Sequence, residues 1–271
     1  MQQVPAHGAP DFGEVRVDTL REALRRGFLD LRRAPGLALV LAGFYVLCGL
    51  AMALVTLMTG QSYWLVLAAI GFPLLGPFAA VGFYEISRRI GAGLPLDRGR
   101  ILGVILGQSR RQLPSICAVI VIVFLFWFFL GHMIFALFLG LSAMTNISSS
   151  LAVYLTPNGL MMLGFGTLVG AAFSALLYMI TVLALPMLLD REVDFVTAMI
   201  TSFGYVAAHP LVMFGWGAFM AAVTLLSMIP GFLGLFVSLP LLGHATWHLY
   251  DLLKIPEDAA APERRGSAVP A

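Results

Sequence analysis

"QLPSICAVIVIVFLFWFFLGHMIFALFLG", residues 112–140, opens a run in which no Asp, Glu, Lys or Arg occurs before Asp190. A bilayer crossing takes about 20 apolar residues, so this run holds two crossings and a turn. Two further charge-free runs, Gly36–Tyr84 and Phe195–Tyr250, lie on either side of it. Segments of that length are too long and too apolar for the core helices of a soluble domain. The composition agrees: 60% of the 271 residues are hydrophobic and 11% charged, and mean hydropathy is +0.93. Soluble domains carry about a quarter charged residues. The fold class is all-α, a polytopic membrane protein.

Within each run a polar or Pro/Gly interruption marks a turn: "MTGQS" from Met58, "GLSAMTNISSSLAVYLTPNG" from Gly140 and "MIPGFLG" from Met228. Six spans are predicted, at about 37–58, 63–86, 115–139, 160–186, 211–229 and 232–253. All 16 Lys and Arg fall in the N-terminal segment, the 88–111 and 190–194 connections or the C-terminal segment. The positive-inside rule then predicts both termini in the cytoplasm of a multi-pass bacterial inner-membrane protein. Residues 1–17 lack the apolar stretch of a cleavable signal. They and residues 254–271 are predicted to be disordered tails around a single membrane domain, 18–253.

The charged connections share a pattern. "DTLREALRRGFLDLRRAP" from Asp18, "DRGRILGVILGQSRRQLP" from Asp97 and "DFVTAMITSFGYVAAHP" from Asp194 each run from an Asp to Pro35, Pro114 or Pro210. Asp caps helix starts, and Pro suits the first turn of a new helix. Each stretch therefore predicts a surface helix of about four turns, a break and a crossing. In the first, Leu20, Leu24, Phe28 and Leu31 share one face and arginines much of the rest. In the third, Val196, Met199, Ile200, Phe203 and Val206 do so. Such helices lie in the membrane interface, where basic side chains meet anionic headgroups.

Three degenerate repeats of an amphipathic helix plus a two-helix hairpin follow, at 18–85, 97–190 and 194–251, closing on Glu85, Asp190 and Asp251. The return spans of the first and third carry Pro-Leu-Leu-Gly, where Pro73 and Pro240 predict kinks and Gly76 and Gly243 close helix approach. Gly166 and Gly170 form a helix-packing pair, suited either to the chain itself or to a dimer.

His244 and His248 sit one turn apart, and with His209 at similar depth they form a candidate metal set. The alternative is interfacial polar groups bonded to headgroups, water or carbonyls. His132 is a candidate intramembrane polar site, expected to bond a neighbouring helix. No cofactor is expected, with haem or metal left open. No nucleotide, hydrolase or zincin motif occurs, and no nucleic-acid partner is expected.

"PLLGPFAAVGFYEISRR" (73–89), "PMLLDREVDFVTAMITSFGYVAAHP" (186–210) and "PLLGHATWHLY" (240–250) resemble an uncharacterised bacterial family of six-span integral membrane proteins, a domain of unknown function. The resemblance covers nearly all of residues 18–253 and implies an inner-membrane protein with no assigned activity. With five histidines, His7 among them, the chain holds too few ligands for an oxidase core. The leading expectation is a non-enzymatic scaffold, assembly or lipid-interacting module. Its partners would be lipids and possible copies of itself or other membrane proteins. A transporter or channel is the first alternative, and a haem or metal accessory protein of a respiratory complex the second.

Overall fold

The computed structural model describes residues 6–59, 63–140 and 151–255, with the backbone alone at 6, 63–75 and 151–152. The helices are α1 (Val17–Arg33), α2 (Pro35–Thr59), α3 (Tyr63–Gly91), α4 (Arg98–Gln108), α5 (Leu113–Leu139), α6 (Pro157–Thr181), α7 (Ala184–Asp190), α8 (Phe195–Ala208), α9 (Pro210–Met228) and α10 (Leu235–Leu253). A 3₁₀ turn, Leu151–Leu155, precedes α6. Among the described residues, four segments are long and apolar enough to cross a membrane: α2, α5, α6 continued by α7, and α9. At most 22% of each spanning stretch is buried inside the protein. Large apolar side chains such as Leu57, Leu137 and Leu211 therefore point outward, as a hydrocarbon solvent allows.

The breaks fall at the prolines. Pro35 opens α2, Pro210 opens α9, and Pro114 is the second residue of α5. There the missing N–H is one that a helix start leaves unbonded anyway. Asp97 Oδ1 accepts from the Arg100 backbone N–H at 2.8 Å, and Asp194 Oδ1 from that of Thr197 at 2.9 Å. The Thr197 bonds also hold the Asp194 carboxyl below its usual range. Asp18 does not cap α1. The helix starts a residue before it, Arg16 is the N-cap, and Asp18 pairs with Arg21 at 3.1 Å. The second surface helix ends at Gln108, short of the expected four turns. There the Ser109 hydroxyl donates to the Leu106 carbonyl at 2.7 Å, and the chain turns through 109–112.

The fourth predicted span is not one uninterrupted helix. Pro186 has no N–H for the Val182 carbonyl, and its ring crowds that group. One turn earlier the Ser202 hydroxyl of α8 inserts into the ladder. It accepts from Leu183 N–H at 3.1 Å and donates to the Met179 carbonyl at 2.7 Å. An inserted side chain is a recognised cause of a helix break. By contrast, α10 runs through buried Pro240 as one element.

The first surface helix is rotated from expectation. Ala23, Gly27 and Asp30 form its buried face, while Phe28 is exposed and Leu20, Leu24 and Leu31 are half-buried. A Cβ on Gly27 would lie 2.7 Å from the Ala245 backbone N of α10, so the two helices touch through their backbones. Helix α1 docks on protein with its narrow face and keeps part of its leucine stripe outside.

Residues 6–16 are likewise not a disordered tail. β1 (Ala6–His7) pairs in parallel with β2 (Arg191–Glu192), and Phe12 bridges to Lys254. Phe12 also packs edge-on to Tyr205 and Tyr250, and Tyr205 donates its hydroxyl proton to the Gly13 carbonyl at 2.6 Å. Residues 1–5 and 256–271 lie outside the described residues.

Ser202→Ala removes the inserted hydroxyl and leaves the buried Leu183 N–H and Met179 carbonyl without it. A loss of about 1–3 kcal/mol is expected, read as a lower unfolding midpoint in detergent. An unchanged midpoint would show that the ladder closes without the serine.

Candidate functional site

Asp30, Glu85, Ser87, Arg89, His244 and His248, all buried polar side chains, gather where α1, α3, α7 and α10 meet. Glu85 of α3 is fully buried. Its carboxylate accepts from Arg88 Nε and Nη2 at 2.7 and 3.0 Å, and from Arg89 Nε at 2.6 Å. Helical spacing of three and four residues presents both guanidiniums to one carboxylate. Arg89 also donates to the Pro95 carbonyl at 3.1 Å, tying down the turn before α4.

Helix α10 supplies the links to its neighbours. His244 Nδ1 and Ser87 Oγ of α3 are hydrogen-bonded at 2.8 Å, and the ring stands edge-on to Phe83. His248 Nε2 meets Asp30 Oδ2 of α1 at 2.6 Å, with both side chains buried. Tyr250 donates its hydroxyl proton to Asp190 at the end of α7 (2.9 Å), and Lys254 reaches the same oxygen at 3.0 Å. Lys254 also lies 3.3 Å from Asp251. Around the rim, Arg111 pairs with Glu192 at 3.0 Å. On α1, Arg25 and then Arg26 hold the Glu22 carboxyl down at about 2.

The two α10 histidines thus serve different neighbours, Ser87 and Asp30. Their second nitrogens, His244 Nε2 and His248 Nδ1, are buried without a hydrogen-bond partner. His209 does not join them. It ends α8, with Nδ1 against the Tyr205 carbonyl at 3.1 Å and its ring 4.5 Å from that of Tyr205. Among the described residues no three His, Cys, Asp or Glu side chains are grouped to hold a metal ion. His132 bonds within its own helix, not to a neighbour. Its Nδ1 meets the Phe128 carbonyl at 2.9 Å, and the ring is exposed.

The glycines of the repeated motif sit at helix contacts. A Cβ on Gly243 would lie 2.7 Å from the Phe83 ring, and one on Gly76 3.6 Å from the Tyr45 hydroxyl. Pro73 lies in the part of α3 described by backbone alone. Gly166 and Gly170 face α5, toward Ile134 and Trp127, so that pair packs within the chain.

Residues 65–190 match the family described as a predicted integral membrane protein (DUF2189). The domain has no known function. The DUF2189 match runs from α3 to the end of α7. It takes in Glu85, Ser87 and Asp190 but neither Asp30 nor the α10 histidines. No curated protein and no solved structure matches the chain.

Asp30→Ala leaves His248 buried with neither ring nitrogen bonded. A cost of about 2 kcal/mol is expected, with faster amide exchange across 17–33 and no change over α5. Unchanged exchange in α1 would mean that helix contacts hold it without the pair.

Proposed function

We propose that the chain is a non-enzymatic, six-span protein of the bacterial inner membrane, a lipid-interacting scaffold or assembly module with its charged end in the cytoplasm. In this reading α3 and α10 cross along with the four apolar segments. Residues 6–16, the α4–α5 turn, the α7–α8 connection and Lys254 meet at one end of the bundle, which supports placing them in one compartment.

The observation that carries the lipid reading is the surface of that end. Exposed apolar side chains stand beside exposed arginines: Phe28 lies under the Arg32 guanidinium at 5.8 Å. Leu102 and Leu106 of α4 are flanked by Arg98, Arg100 and Arg110. Val196, Ile200 and Phe203 are exposed along α8. Side chains of this kind seat a helix at the headgroup level, with the guanidiniums toward phosphates. Among the described residues Arg98, Arg100 and Arg110 have no carboxylate partner, which leaves their charge for an anion. The ions buried deeper in this end neutralise one another, which suits an anchored platform better than a conduit.

Native mass spectrometry of the purified protein tests the lipid reading. Wild type is expected to retain phosphatidylglycerol over phosphatidylcholine. Each Arg→Gln change at 98, 100 and 110 should weaken that preference by up to about fivefold, from roughly 1 kcal/mol per basic residue near an anionic surface. Equal retention by the triple variant would defeat it. Alkaline phosphatase fusions test the topology, with activity expected after Thr59, Leu155 and Ile229 and none after Ala92, Val193 and Ile255. Equal signals at Thr59 and Ala92 would remove α3 from the crossings.

A further inference from the structure

The Pro-Leu-Leu-Gly tetrapeptide that the chain carries twice comes together in space. Gly76 of α3 and Gly243 of α10 both line a pocket of about 210 Å³, with α2 and α3 on one side and α9 and α10 on the other. The glycines shape its walls. A Cβ on Gly243 would lie 2.7 Å from the Phe83 ring, itself part of the lining, and one on Gly76 would face the Tyr45 hydroxyl at 3.6 Å. Among the described residues no charged side chain lines the pocket.

Its polar chemistry is uneven. The Thr246 hydroxyl donates to the Leu242 carbonyl and the Thr224 hydroxyl to the Met220 carbonyl, each at 2.8 Å. Both protons are committed, while both oxygens still accept. Tyr84 is the opposite case. It lines the same pocket, is 4% exposed and holds its ring against Trp247. Among the described residues its hydroxyl proton has no acceptor. Buried hydroxyls in folded chains are nearly always bonded, so this donor points to an acceptor from outside the chain.

We propose that the pocket binds a small uncharged ring compound through a carbonyl oxygen that accepts the Tyr84 proton. A cavity of about 150 Å³ holds a benzene ring, so 210 Å³ holds such a ring with a few substituent atoms. An ion would find no counter-charge in this lining, and a wholly apolar molecule would leave the phenol unsatisfied. Tyr84 directly precedes Glu85, so the donor stands at the charged end. Leu239, about 10 Å beyond Thr246 along α10, lines the apolar end. The carbonyl therefore faces the charged end and the ring faces away from it. The six-span reading enters only through the route of entry, from the bilayer, and the headgroup preference does not enter.

Ligand-observed fluorine NMR on the intact chain in detergent tests this with two probes of similar shape. They are para-fluoroacetophenone and para-fluorocumene, which lacks an acceptor. Wild type is expected to bind the ketone about fivefold tighter above the micelle background, the share of one neutral hydrogen bond. Tyr84→Phe should bring the two probes level with the unfolding midpoint kept or raised, because the proton it removes has no acceptor in the protein. Ala79→Leu, at a half-buried lining position of α3, should weaken both probes by roughly threefold or more through lost room. Equal affinity of the two probes for wild type, or no binding of either, would overturn the proposal and leave water as the occupant. So would a ketone preference that survives Tyr84→Phe, unchanged binding in Ala79→Leu, or a lower unfolding midpoint for Tyr84→Phe. Binding in detergent does not depend on topology, so a failure of the phosphatase fusions and a failure of the probes are separate results.

Discussion

An ion in hydrocarbon costs several kcal/mol unless it is paired or reaches water, and the whole architecture is arranged around that cost. Long stretches of the chain carry no charge, and the ionised side chains collect where helices end. Glu85 is the extreme case. It is fully buried, yet it is met by three guanidinium N–H groups from the following turn of its own helix. Further along, helix α10 uses groups that need not be charged. A histidine reaches a serine, a second histidine reaches an aspartate, and a tyrosine reaches another aspartate. Each bond goes to a different neighbouring element, so α10 ties α3, α1 and α7 together.

The two ends of the bundle differ in kind. Near the charges the main hydrophobic core closes around residues such as Met187, Val206, Trp216 and Tyr250. Away from them α5 and α6 meet through Gly166 and Gly170, against Ile134 and Trp127. The break between α6 and α7 belongs to this division. The Ser202 hydroxyl satisfies the Leu183 N–H and the Met179 carbonyl where the ladder between α6 and α7 opens.

Helix positions were legible where hydrocarbon and proline act alone. Charge-free runs mark the long helices, and Pro35, Pro114 and Pro210 mark their starts to within a residue. What depends on two segments meeting was not. The leucine stripe of α1 outweighs Ala23, Gly27 and Asp30 on any hydrophobicity scale. Nevertheless the small face docks, because Ala245 comes within backbone contact and His248 compensates the aspartate. His244 and His248 stood out as polar groups in an apolar helix. Their partners Ser87 and Asp30 carry no local signal, the latter pair being 218 residues apart. The strand at Ala6–His7 was hidden for the same reason, since its partner lies at Arg191–Glu192. The arginine-rich surface was readable from composition, whereas the pocket exists only once four helices are placed side by side.

The pairing of α1 with α10 has a consequence for biogenesis. The ribosome makes Asp30 218 residues before His248, so α1 leaves the exit tunnel well before its docking surface exists. Until α10 has been made, the face of α1 that carries Ala23, Gly27 and Asp30 has nothing to dock on. The N-terminal strap waits longer still, because Phe12 needs Tyr250 as well as Tyr205. The earlier-made segment therefore waits on a later one, and a nascent chain cut short before α10 would carry an undocked α1.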